Sequence, residues 1–257
     1  LTVQAGVRCL PPVRLCANEN FGRAFERNGH LELEVPSVLR GLRDIEALRL
    51  VRCGLADRWL SRLCHSGGSS KWSGVRLLDL RDNLLTATCC AAIVAVVAGG
   101  LEALVLDGNR LCAQGLETLC AAIKPTQRGG LRWFSIADNA IGHPGGTLVA
   151  ELLGRAGGCP LRGLCLARNP QLSSGELLAL LRPLCRVAQG PGGGRLLEIL
   201  DISACGAGPP VLPQLARVLA HSPGLKVDLS GSQLLAGGPG TLPPDLEAYV
   251  QEGRARL

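Results

Sequence analysis

Residues 101–111 read LEALVLDGNRL, and this stretch decides the fold. Leucines at 101, 104, 106 and 111 frame an alternating segment, and side chains in a strand alternate between faces, so Leu104 and Leu106 point one way and Val105 the other. Asn109 falls where the chain must turn away from the strand. Its amide carries donors and acceptors for backbone groups that such a turn leaves unpaired.

The same frame recurs along the chain. It appears as IEALRLVRCGL from Ile45, VRLLDLRDNLL from Val75, LRWFSIADNAI from Leu131, LRGLCLARNPQL from Leu161 and LEILDISACGA from Leu197. Cysteine replaces asparagine at 53 and 205, where a thiol is a weak donor that fits the same narrow space. LKVDLSGSQL from Leu225 is a copy short by one residue, and LPPVRLCANENF from Leu10 reads as a worn first copy. The clear starts lie 26 to 36 residues apart, long enough for a strand, a helix of about three turns and two connections. This predicts residues 1–44 as a degenerate first repeat and amino-terminal cap, 45–224 as six repeats, and 225–257 as a degenerate last repeat and carboxyl-terminal cap.

Between the strands the period changes. Leu111, Leu116, Leu119 and Ile123 make one helical face; Leu148 and Leu152, then Leu178 and Leu181, mark the next two helices. TATCCAAIVAVVA, from Thr86, is apolar nearly all round. Glycine pairs at 99–100, 129–130 and 157–158 end the helices and return the chain to the sheet. A unit of this kind cannot bury its apolar face alone and must stack on its neighbours. The expected architecture is α/β: a curved solenoid with about six parallel strands on its concave side and helices on its convex side.

Composition narrows function mainly by exclusion. The net charge is +6, the only lysines are Lys71, Lys124 and Lys226, and no basic stripe interleaves with aromatics, so direct nucleic-acid binding is not expected. The longest apolar run, Cys89 to Gly99, is too short to cross a bilayer. Twelve cysteines without one Cys-x-x-Cys pair, together with the lack of a leader and of Asn-x-Ser/Thr acceptors, point to reduced thiols and an intracellular, cytoplasmic or nuclear, setting. The absence of methionine points to a piece of a longer polypeptide, expected to act as a monomeric module.

No catalytic or cofactor chemistry emerges, and an enzyme is not expected. His30, His65, His143 and His221 are scattered, and only Cys64–His65 are adjacent, with diverging side chains. The runs GPGGG from Gly190 and GGPG from Gly237 lack the lysine and hydroxyl of a phosphate loop, and the vicinal Cys89–Cys90 read as small core residues. No metal or cofactor is anticipated. What remains is the outward face of the strands: Arg49, Arg52, Asp79, Arg81, Asp82, Asp107, Trp133, Asp138, Arg168 and Asp201. Strand-to-strand ion pairs such as Arg49 with Asp79 would merely solvate this face. Alternatively it binds a protein partner, with charge for selection and Trp133 as anchor.

The strand–asparagine–helix unit over residues 45–235 resembles the ribonuclease-inhibitor class of leucine-rich repeats. That resemblance implies a horseshoe and, because the class houses inhibitors, NOD-like sensors, Ran GTPase activators and scaffolds, an interaction module before any one activity. Ran activators typically continue into an acidic tail, whereas this sequence closes on LEAYVQEGRARL, which includes the basic residues Arg254 and Arg256. LCLARNPQLSSGELLALLRPL from Leu164 and LEILDISACGAGPP from Leu197 resemble carboxyl-terminal repeats of tonsoku-like scaffolds, which implies a nuclear replication-repair protein with further repeats upstream.

Overall fold

The computed structural model describes residues 46–65, 72, 74–124, 130–155, 158–187, 197–233 and 243–257. The expected first copy at Leu10 and both glycine runs lie outside these residues. Among the described residues, eight strands form one open, wholly parallel sheet in chain order: β1 (Ala47–Arg49), β2 (Leu77–Asp79), β3 (Ala103–Val105), β4 (Trp133–Ser135), β5 (Gly163–Cys165), β6 (Ile199–Asp201), β7 (Lys226–Asp228) and β8 (Ala255–Arg256). Register follows the repeat frame, so that Leu78, Leu104, Phe134, Leu164 and Leu200 align across the sheet. The count exceeds the expected six or so because the last segment supplies two more strands. The shortened copy keeps Lys226 opposite Ile199, and Ala255 pairs with Val227.

Among the described residues, seven α-helices alternate with the strands: α1 (Asp57–His65), α2 (Cys90–Ala98), α3 (Cys112–Ala122), α4 (Gly145–Leu153), α5 (Ser174–Val187), α6 (Leu212–His221) and α7 (Pro244–Gln251). Short 3-10 turns lead into α2 and α6. Middle-strand leucines and the helical side chains Leu60, Ile93, Leu119, Val149, Leu180 and Leu215 form one continuous apolar cluster. Burying each such side chain contributes about 1.5–3 kcal/mol, which no single repeat could assemble alone. Of the expected helix faces, Leu152 and Leu181 are core, whereas Leu148 and Leu178 are half-buried and Val149, Leu177 and Leu180 complete the core. The leucines read off the sequence thus mark part of each buried face, since valine and leucine fill the core equally well.

The ladder residues stitch each repeat to the one before it. Asn169, fully buried, accepts from the amides of Asn139 and Ile141 at 3.0 and 2.9 Å and donates to the carbonyls of Ile136 and Leu166. Asn83 serves the amides of Cys53 and Leu55 in the same way. At the two cysteine positions the thiol donates instead, Cys205 to Leu166 O at 3.2 Å and Cys53 to Val51 O at 3.4 Å. Just before each ladder residue the backbone turns left-handed, with φ near +54° at Arg52, Asp82 and Arg168 and +66° at Gly108.

Helix ends are also satisfied from the next repeat. The last carbonyls of a helix lack partners within it, and Arg155 Nη1 reaches Cys120 O and Ile123 O at the end of α3, as Arg254 Nη2 reaches Leu219 O and Ser222 O beyond α6. At the other end, Glu176 from α5 accepts from Gly146 N at 2.6 Å in the first turn of α4.

Candidate protein-binding face

The sheet has one face against the helices and one open face. Outward side chains form rows across the strands, because register is constant. The lowest row runs Ala47, Leu77, Ala103, Trp133, Gly163, Ile199, Lys226; the next runs Arg49, Asp79, Val105, Ser135, Cys165, Asp201, Asp228. Trp133 is half-buried at the centre of the lowest row. The Cε3–Cζ3 edge of its six-membered ring occupies the place that a side chain at Gly163 would take, so the ring reaches over β5 and glycine suits that approach. Above it, Ala137, Cys165 and Ala167 are buried and Trp133 packs against them. The tryptophan therefore contributes to packing as well as facing outward.

The charged candidates divide into three groups. Arg81 holds both oxygens of Asp79, through Nε at 2.9 Å and Nη2 at 2.8 Å. Asp79 is consequently 3% exposed, its carboxylate turned to Arg81 rather than outward. The expected Arg49–Asp79 pair is likewise replaced: register puts the two opposite each other, but the carboxylate is spent within its own strand. A bidentate fork two residues away is better aligned than a reach to the adjacent strand. Arg49 is exposed on β1.

Arg52, Asp82, Asp138 and Arg168 occupy the left-handed turns before the ladder, exposed along one rim of the sheet and away from Trp133. Arg52 and Asp82 pair at 3.2 Å with both side chains well exposed, an interaction worth about 0–1 kcal/mol.

Asp107 and Asp201 differ from both groups. Asp107 Oδ1 accepts from Ser135 Oγ at 2.5 Å and Ala137 N at 2.9 Å, which draws the carboxylate from its own turn over β4. Asp201 Oδ1 accepts from Ser203 N and Oγ at 3.0 and 2.7 Å, while its Oδ2 accepts from Cys165 Sγ on β5 at 3.4 Å. Ser135 and Cys165 are paired neighbours, so the two carboxylates converge on the spot directly above the Trp133–Gly163 stack. Burial raises the Asp107 pKa despite the bonds from Ser135 and Ala137 and the nearby Arg81, which lower it. Burial, then Asp201, pushes the Cys165 thiol up to about 12.

Ser135, Ala137, Cys165 and Ala167 were not among the sequence candidates. They follow from the same alternation that selected Trp133, but reading the face by charge and size passed over small, neutral positions.

Most of the other described thiols are buried or half-buried, and Cys112 is exposed. Cys89, Cys90, Cys112, Cys120, Cys159, Cys165, Cys185 and Cys205 are free, and burial lifts Cys120 to about 12 and Cys205 to about 11. A thiol so shifted is protonated at neutral pH and a poor nucleophile. Among the described residues, no group of three or more His, Cys, Asp and Glu side chains is arranged to hold a metal ion, and no helix is long and apolar enough to cross a membrane.

Strand, ladder turn and helix, repeated in register, are consistent with leucine-rich-repeat units. No protein-family model matches the chain. The bovine (Bos taurus) NACHT, LRR and PYD domains-containing protein 5 is 28% identical to it over 204 residues, covering 78% of this chain and 18% of that protein. The chain thus spans under a fifth of that relative's length.

Proposed function

We propose that the chain is a protein-binding module that holds its partner against the open face of the sheet, and that the sheet curves into a horseshoe with this face concave. The observation that carries the reading is the setting of Trp133: a large ring at the centre of the sheet, half-buried against the small residues Ala137, Cys165 and Ala167 and reaching over Gly163. Such an aromatic in a shallow bed of small residues matches the anchors that dominate protein interfaces. Arg49, Arg52, Arg81, Asp82, Asp138 and Arg168 form a surrounding rim that tunes encounter and selection. The role is binding, not catalysis. It is consistent with the raised thiol pKa values, which leave the buried cysteines without nucleophilic character.

In this reading the module is one monomeric part of a longer intracellular scaffold. The resemblance of residues 164–210 to tonsoku-like repeats supports a nuclear repair setting. A second reading, as the sensing repeats of a NOD-like receptor, is favoured by the likeness to a protein whose name includes a NACHT domain. The full-length sequence separates them, by a nucleotide-binding domain upstream or further repeats.

Replacing Trp133 with alanine tests the docking surface. Affinity for a purified protein partner should fall by about 2 kcal/mol, roughly thirtyfold. Unchanged affinity, in a variant shown to be folded, would place the interface elsewhere.

A further inference from the structure

Resting on the open face as a docking surface, we infer that the partner's contribution at its centre is a cationic side chain, arginine or lysine, stacked on Trp133 and held between the carboxylates of Asp107 and Asp201. The two carboxylates come from strands on either side of the ring's own pair, yet both lean inward: Asp107 onto Ser135 and Asp201 onto Cys165. The residues they lean on are neighbours in adjacent strands, two positions above Trp133 and Gly163. Two residues of strand is about 7 Å, a gap the indole spans by packing against Ala137, Cys165 and Ala167, and adjacent strands are about 4.8 Å apart, so a guanidinium on the ring lies beside both acids.

The acids are held by neutral donors. Asp79, on the same face, is neutralised by the fork of Arg81, whereas Asp107 is fixed by a serine hydroxyl and a backbone amide, and Asp201 by a serine, its amide and a thiol. Each acid commits Oδ1 to two donors, while Oδ2 of Asp201 receives only the thiol. The nearest guanidinium, that of Arg81, is tied to Asp79 and outweighed by burial at Asp107. Two oriented acids of like charge, partly withdrawn from water, are better stabilised with a cation between them than alone. The charged head of the arginine or lysine, over the face of the indole, would add a cation–π contact.

The test titrates the isotope-labelled full chain with acetyl-Gly-Arg-Gly-amide, its lysine analogue and its citrulline analogue, following the indole N–H resonances of the three tryptophans. The Trp133 signal should move saturably with arginine and lysine, while the core residues Trp59 and Trp72 stay in place. Citrulline, the neutral isostere, should bind about tenfold more weakly or worse. Asp107→Asn and Asp201→Asn keep the Oδ1 acceptor and so the local fold, and each should weaken arginine binding about tenfold. Equal binding of citrulline, a motionless Trp133 signal or unaltered affinity in both asparagine variants would overturn the cation. Since the docking reading is judged separately by the Trp133→Ala affinity for a protein partner, the two can fail independently.

Discussion

Replacing Asn169 with alanine should cost the fold about 3 kcal/mol, within a range of about 2–5 kcal/mol. Asn169 is fully buried, and its Oδ1 is the acceptor for two amides of the preceding repeat, Asn139 N at 3.0 Å and Ile141 N at 2.9 Å. Removing it strands both where water does not reach, and each orphaned donor costs about 1–3 kcal/mol. The carbonyl side loses less, because Leu166 O keeps the thiol of Cys205. Asn169→Cys should fall between alanine and wild type: a thiol can still donate, as Cys205 does, but it offers no comparable acceptor for the two amides. Equilibrium urea unfolding measures these differences, with Arg132→Ala, an exposed site, as a control expected within about 0.5 kcal/mol. A loss of under about 0.5 kcal/mol in Asn169→Ala would refute the ladder as the link between repeats.

Asp107→Asn should leave the fold as stable as wild type at neutral pH, or more so. Burial raises the folded-state pKa of Asp107, so its contribution is full below the ordinary aspartate range and is lost as pH rises through the raised value. Asparagine removes that loss; unfolding curves taken from acid to neutral pH would contradict this if the variant were destabilised most at neutral pH. Arg155→Ala frees the carbonyls of Cys120 and Ile123, so it should cost about 1–2 kcal/mol and speed amide exchange in α3 more than in α5; uniform exchange rates across both helices would argue against capping between repeats. Cys165 and Cys205, with pKa values raised to about 12 and 11, should resist alkylation at neutral pH until the protein unfolds, whereas exposed Cys112 reacts at once. Mass spectrometry of the alkylated native protein checks this, and early labelling of Cys205 would be the contrary result.

The repeat frame was legible because it is periodic. Leucine spacing and the asparagine at 83, 109, 139 and 169 located the strands, their direction and the ladder. Beyond the frame, the signal weakens for identifiable reasons. The strand at Ala255 lacks the leucine pattern and exists because β7 offers an edge, with Val227 N and Leu229 N donating to Arg254 O and Arg256 O. Burial of Val149 and Leu177 depended on which of several equally apolar residues packed better. On the open face, alternation placed Trp133, Asp107 and Asp201 outward. It did not reveal that Asp79 is covered by Arg81, or that Asp107 and Asp201 lean toward each other, because side-chain direction depends on the donors in neighbouring repeats. Ser135 and Cys165 carried no signal by type, only by position.

The most direct test of the open face as the docking surface is photo-cross-linking from single sites with the partner bound. A benzophenone side chain at Leu77, in the row of Trp133, should capture the partner, and one at Val94, on α2, should not. Capture from Val94 with none from Leu77 would put the interface on the helices and contradict the account.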